Sequence, residues 1–178
     1  MPYVYPQEGA LRDGRRILIR PFAAHDTSAL WQFFQHLPPE TRRLAWDRID
    51  DPAIVERWGQ NLDYDKAFPL LAIDGTRIVA DATLHRRETG PLRLVGRIKW
   101  LIDPEYRGAG VGSLLVNHLI TSARENGLRH LTCMLIAEAE ADAIATLTTV
   151  GFEATTFEGY GTDPDGGQHD MVKLILKL

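Results

Sequence analysis

Residues 104–115, PEYRGAGVGSLL, place Gly108, Gly110 and Gly112 within five positions and then run into a leucine-rich stretch. Between a strand and a helix, such a turn leaves several backbone N–H groups unpaired and aimed at one point. The helix dipole adds partial positive charge there, so the arrangement favours a phosphate. Glycine suits it because a Cβ would hold a phosphate oxygen beyond hydrogen-bonding distance of the amides. Arg107 offers a cation and Ser113 a hydroxyl beside the same amides.

Two common phosphate motifs do not fit. A P-loop needs GxxxxGK[ST], and neither the spacing nor the lysine is present. The dinucleotide fingerprint GxGxxG fails because Ser113 stands where the third glycine belongs. It would also sit in an early βαβ unit, whereas this turn follows residue 100 and strands that read as antiparallel. Arg107-x-x-Gly110-x-Gly112 fits a third pattern. Within WLIDPEYRGAGVGSLLVNHL it resembles the pyrophosphate-binding motif of the GNAT superfamily of acyl-CoA-dependent N-acyltransferases.

The resemblance implies acetyl-CoA as acyl donor, an amine as acceptor and direct attack in a ternary complex. It implies that the backbone of Trp100, Leu101 and Ile102 pairs with the pantetheine arm. The pyrophosphate would lie on the amides of Gly108, Ala109, Gly110, Val111, Gly112 and Ser113, and an amide near Ile102 would face the acyl oxygen. The sequence departs from the family where protons are handled. Positions that commonly carry a glutamate base hold Gly96 or Arg97 and Leu135, and Glu140 and Leu147 stand in place of the family's asparagine and tyrosine.

Other residues could supply that chemistry. Glu138 and Glu140 follow an apolar stretch close to the expected acyl position, although acids also suit a solvated helix start. His85 titrates near neutrality and shares one strand face with Asp81 and Thr83; an exposed strand face explains the three equally well. Tyr160 and His169 are weaker candidates. Asp47, Asp50 and Asp51 lie in the segment 38–65 that walls the acceptor site in the family, and could attract a cationic amine or simply be solvated. The missing glutamate and tyrosine also leave room for a catalytically silent CoA-binding module.

These residues need a scaffold, and the periodicity supplies one. RRILIRPF alternates as a strand, and SALWQFFQHL repeats Leu30, Phe33, Phe34 and Leu37 at helical spacing behind Asp26 and Thr27. PPETRRLAWDRI and DPAIVERWGQNL predict short helices with proline near the first turn. Asp74-Gly75 joins two strands as a hairpin, and LRLVGRIKWLI makes the next strand. After the glycines come a helix stopped at Asn126-Gly127, a strand RHLTCMLI suited to burial on both faces, a helix stopped at Gly151, and two strands around DPDGG. The expectation is a mixed α/β domain of the α+β type: a mostly antiparallel sheet of six to seven strands with helices on both faces. It spans residues 15–178, behind an irregular lead-in of residues 1–14.

Composition narrows the classes further. The chain has 178 residues, 44% hydrophobic and 25% charged, with a net charge of −4. That profile is globular and offers no basic field for nucleic acid or anionic lipid. Its single cysteine, Cys133, excludes an intramolecular disulfide and reads as a buried thiol. No zinc-ligand spacing and no apolar stretch long enough to span a bilayer occurs, and the first residues lack the pattern of a signal peptide. The expectations are no metal, no nucleic-acid or membrane partner, a cytoplasmic location, and either a monomer or a homodimer.

Overall fold

In FPLLAID, Leu70 and Ala72 point to one side of an extended chain and Leu71 and Ile73 to the other, and all four are buried. A strand apolar on both faces must be covered on both, and that requirement organises the molecule. The computed structural model, which describes residues 4–178, has one open sheet of eight strands: β1 (Gln7–Ala10), β2 (Arg16–Pro21), β3 (Ala67–Asp74), β4 (Arg77–His85), β5 (Val95–Ile102), β6 (His130–Ile136), β7 (Glu153–Thr162) and β8 (Gln168–Lys177). Their order across the sheet is β1-β2-β3-β4-β5-β6-β8-β7. Every neighbouring pair is antiparallel except β5 and β6.

One face is covered by α1 (Thr27–His36) and α3 (Pro52–Gln60), with the short exposed α2 (Pro39–Arg43) between them in the chain, and the other by α4 (Val111–Glu125) and α5 (Ala141–Val150). On the first face Phe33, Phe34 and Leu37 pack with Val55, Leu71, Ile73 and Ile78. On the second, Leu115, Leu119 and Leu147 pack with Leu70, Ala72, Ala80 and Ala82. Complete burial of side chains such as Leu115 and Leu119 contributes roughly 1.5–3 kcal/mol each.

The sheet has one strand more than the sequence suggests. Residues 7–10, expected to be irregular, form β1 and pair with β2 from Gln7↔Ile19 to Ala10↔Arg16. Its polar residues carry no strand signal; it forms because β2 would otherwise present an open edge. Asp26, expected to cap α1, is diverted to another task. Its carboxylate takes Arg20 through both oxygens at 2.6 Å and accepts the Ala23 amide at 2.9 Å. β6 is fully buried on one face only: Leu131, Cys133 and Leu135 are enclosed, while Thr132 and Met134 are half-buried. Burial pushes the Cys133 thiol up to about 12, so it is an inert core residue.

Gly96 marks the last stretch where β5 and β6 touch. A Cβ there would lie 2.7–2.8 Å from Leu84, Leu128 and Leu131. Gly96→Val is expected to lower stability by about 1–3 kcal/mol through overpacking, measured by denaturant unfolding, with Gly96→Ala costing less.

Candidate acyl-transfer site

β5 and β6 are neighbours for only three residue pairs, Val95↔His130, Gly96↔Leu131 and Arg97↔Thr132. Beyond them β5 stays with β4 as far as Ala80↔Ile102, and β6 stays with β8 as far as Ile136↔Met171. The strands part and leave a wedge. The Asp103 amide donates to the Val79 carbonyl at 2.9 Å, which fixes the phase of the β4–β5 ladder, because antiparallel pairs alternate between bonded and non-bonded. Asp81↔Leu101 is therefore a bonded pair, and the N–H and C=O groups of Trp100 and Ile102 face the wedge. Leu101, expected to offer its backbone alongside them, has already committed it to Asp81.

The glycine turn closes the end of the wedge. Asp103 is buried; it pairs with Arg77, and its Oδ1 accepts the Glu105 amide at 2.9 Å, capping a 3₁₀ turn over Pro104–Tyr106. The buried Tyr106 donates its hydroxyl to Asp74 at 2.7 Å, under the Arg15 guanidinium 3.9 Å from its ring centroid. The DPEY approach thus bolts the turn to the β3–β4 hairpin. Gly108 and Gly110 have φ of +73° and +98°, a region other residues avoid. Gly112 is helical but passes close to Ile102, whose Cδ1 would lie 3.2 Å from a Cβ. The amides of Gly110, Val111, Gly112 and Ser113 have no carbonyl a turn behind them. Ala109 differs from its neighbours: its amide bonds to the Tyr106 carbonyl and its own carbonyl accepts from Arg12. Arg12, in the segment expected to be irregular, lies beside Gly110 and adds a second guanidinium to that of Arg107.

A cleft of about 530 Å³ runs from this turn to the α1–α3 face. It is lined by Arg107, Gly108 and the residues 110–113, by Trp100, Leu101 and Ile102, and by Glu138, Glu140 and His85, so the expected site residues converge on it apart from Ala109. Its far end is a chamber walled by Phe34, Leu44, Trp46 and Trp58, with Asp47, Asp81, Thr83, His85 and Lys99 on its floor. Lys99 holds both carboxylate oxygens of Asp47, at 2.7 and 2.9 Å. Asp81 is half-buried as a residue, yet its Oδ1 is shut off from solvent and has no hydrogen-bond partner. Burial, reinforced by the charge of Asp47 and partly offset by Lys99, pushes its carboxyl up to about 7. Burial, together with Lys99 and Arg97, pushes His85 down to about 4.

A cleft with bare amides at a helix start and a free strand edge is recognisable. The model of the acetyltransferase (GNAT) family matches residues 28–152, and a curated Pseudomonas aeruginosa acetyltransferase is 30% identical over 138 residues, 68% of this chain and 67% of the relative. The chain belongs to the GNAT acetyltransferase family. Solved structures share its fold: the GNAT domain of S. lividans PAT superposes with a TM-score of 0.80 at 22% identity, covering 100% of this chain and 99% of that one. A Salmonella typhimurium protein described as an acetyltransferase, solved with its cofactor acetyl-CoA, gives 0.77 at 21% identity, with 91% and 94% covered.

Within this GNAT scaffold the two glutamates have separate positions. The Ala137 amide donates to the Asp170 carbonyl at 2.9 Å, so the Ile136 amide, one residue out of phase, points into the wedge. Glu140 accepts it at 2.7 Å from the start of α5, and burial raises this carboxyl despite that bond and the nearby Arg107. Glu138 is tied to His169, which also bonds Asp163 at 3.1 Å; Asp163 in turn holds Arg43 of α2 at 2.9 Å. Glu138 and then Asp163 raise the His169 imidazole. This chain of contacts ties the chamber wall to the β7–β8 loop. Tyr160 lies on the exposed strand β7, its ring tilted 47° to that of Phe157 at a centroid distance of 5.7 Å. Sequence reasoning missed Arg12, which no motif marks, and took Asp81 only as a strand-mate of His85. Its one signal is an acid inside the apolar stretch RIVADATLH.

The Asp81 carboxyl rises from an ordinary 3.8 to about 7 in the fold. Its burial therefore costs nothing below pH 3.8, an increasing amount between 3.8 and 7, and the full amount above 7. Asp81→Asn is expected to leave stability unchanged at pH 3.5 and to raise it by on the order of 3 kcal/mol at pH 8, read from denaturant unfolding at both pH values.

Proposed function

We propose that this protein transfers an acetyl group from acetyl-CoA to the nitrogen of a primary amine, by direct attack in a ternary complex. The observation that carries this reading is the free edge of β5. Trp100 and Ile102 turn backbone groups into a wedge that has phosphate-accepting amides at one end and the chamber at the other. The acetyl-CoA seen in the structurally similar Salmonella protein supports the choice of donor.

The residues fit that donor. The amides of Gly108, Gly110, Val111, Gly112 and Ser113, with the Arg12 and Arg107 guanidinium groups and the α4 dipole, would hold the pyrophosphate. The backbone of Trp100 and Ile102 would pair with the pantetheine amides, and the Glu140 carboxylate reaches into the same wedge as an acceptor. Bound acetyl-CoA supplies an activated thioester. The Ile102 amide, rigid within β5, then faces the oxygen on which negative charge develops; a preorganised donor of this kind commonly contributes about 3–4 kcal/mol to lowering the barrier. Holding both reactants against one strand supplies much of the rest through positioning.

The chamber describes the acceptor. Phe34, Leu44, Trp46 and Trp58 offer apolar and aromatic surface. Asp47 already neutralises Lys99, so Asp81 is the surplus anionic group on the floor. The acceptor is accordingly a cationic primary amine with an apolar body.

Gly110→Val forces a β-branched side chain into φ +98° and into the phosphate path. It is expected to weaken acetyl-CoA binding at least 100-fold by calorimetry while the circular-dichroism spectrum is retained; unchanged binding would remove the turn from the site. A panel of primary amines spanning arylalkylamines, polyamines and amino acids, followed by thiol release from acetyl-CoA, tests the reaction. Turnover is expected first with 2-phenylethylamine-type cations. Acetyl-CoA binding without thiol release from any member would mark a silent CoA-binding module instead.

A further inference from the structure

An ammonium group cannot attack a thioester, and a free alkylamine holds its proton up to a pH of about 10. The positions that commonly carry a base in the family hold Gly96, Arg97 and Leu135 here. The acceptor end of the cleft must therefore contain another proton acceptor, and the geometry of its carboxylates separates them. Both oxygens of Asp47 are taken by Lys99. Glu138 is bound to His169 at the rim. Glu140 lies on the β6 side of the wedge and accepts the Ile136 amide. Glu40 is exposed on α2.

Asp142, which also lines the cleft, is exposed in the first turn of α5 beyond Glu140. Asp81 is the remaining carboxylate, and it is the one whose Oδ1 is buried without a partner. Its Cα lies opposite Leu101, one residue before Ile102 along β5. Its side chain sits on the chamber floor, about one strand spacing, roughly 5 Å, from the free edge of β5. An amine seated against that edge is within direct reach of Asp81 or one water away.

We infer that Asp81 is the catalytic residue that takes the proton from the acceptor amine, an assignment that rests on the acetyltransfer reading above. The acceptor enters as R–NH₃⁺, attracted by the carboxylate, and gives one proton to Asp81. Its lone pair forms the C–N bond to the acyl carbon while the C–S bond breaks and its electron pair leaves with sulfur. The nitrogen's second proton goes to the thiolate, and Asp81 returns its own to bulk water. The products are the N-acetyl amine, free CoA thiol and one proton.

The surroundings suit this work. Thr83 on its own strand, Lys99 on β5 and Asp47 in the α2–α3 connection act on Asp81 directly, and His85 on β4 and Glu40 on α2 line the same cleft. Burial and Asp47 hold its carboxyl near 7, where it can accept a proton from an amine and release it again. His85, pushed to about 4, is neutral near pH 7 but a weak acceptor. Lys99, and after it a hydrogen bond from Thr83, supply the counterweight that keeps Asp81 from rising further.

The test compares kcat/KM of wild type and Asp81→Asn from pH 5.5 to 10, using the fastest acceptor of the amine panel, with 2-phenylethylamine as the starting probe. Wild type is expected to rise through an apparent pKa near 7 and then level. Asp81→Asn is expected to lose about 100-fold or more at pH 7, to lack that limb, and to recover to within 10-fold at pH 10, where water can deprotonate the amine itself. Its calorimetric affinity for acetyl-CoA should stay within two-fold, which also shows that the isosteric variant is folded. Retention of more than a third of wild-type kcat/KM at pH 7, or an equal loss at every pH, overturns the assignment and leaves the acetyltransfer reading standing. Wild type that binds acetyl-CoA but turns over no amine overturns both.

Discussion

The parting of β5 from β6 is the constraint on which the rest of the molecule depends. Parallel strands that paired along their whole length would use up the backbone groups of Trp100 and Ile102. Three pairs hold the strands together at one end, and Gly96 makes that junction tight enough for Leu84, Leu128 and Leu131 to close over it. Beyond the junction each strand keeps a different partner, so neither loses its fold when the wedge opens. β5 answers to β4, and β6 answers to β8. The wedge is thus a stable feature with unpaired polar edges. Buried backbone groups of that kind persist where a ligand or water satisfies them.

Charge is distributed unevenly along the cleft, with Glu140 between its two ends. The turn end gathers two guanidinium groups and a helix N-terminus, whereas the chamber end gathers carboxylates around a single, already neutralised lysine. On the proposed reading, an anionic donor and a cationic acceptor would enter from opposite ends. The walls are fastened across this division by Arg43, Asp163, His169 and Glu138, which join α2, the β7–β8 loop, β8 and the segment after β6. The raised imidazole of His169 makes this fastening strongest while the ring is protonated. It weakens as pH rises through the folded-state value of that ring.

The legible parts of the sequence were those whose cause is local. The stripe Leu30, Phe33, Phe34 and Leu37 predicts α1 because helical spacing alone decides which side chains meet the sheet. Gly151, at φ +111°, ends α5 as a glycine past the last helical residue does. What escaped was set by partners far along the chain. β1 exists because β2 offers an edge, and nothing in QEGA announces it. Asp26 has the type and place of a helix cap but finds a stronger partner in Arg20. Leu101 and Ala109 sit inside a motif whose neighbours are available to a ligand. They differ from those neighbours only in ladder phase and in one turn hydrogen bond.

The same distinction explains why the two halves of the site differ in visibility. The donor half is made of backbone, and backbone with unusual torsions must be written in glycine. Gly108 and Gly110 are favoured by positive φ and Gly112 by the close approach of the Ile102 side chain, so three residues with two different reasons produce one readable pattern. The acceptor half is made of side chains whose properties come from their surroundings. An aspartate in water and Asp81 in its chamber carry the same letter, yet burial and the charge of Asp47 push the Asp81 carboxyl up to about 7. That separation is created by the aromatic walls, by Asp47 and by the depth of the floor, all brought together only when α1, α2 and α3 close over β4 and β5. A fold that, on the proposed reading, would supply its oxyanion contact and phosphate seat from backbone would leave proton transfer to whichever strand face the acceptor meets. A carboxylate on β4 can then serve where the neighbouring strand carries glycine and arginine at the usual positions.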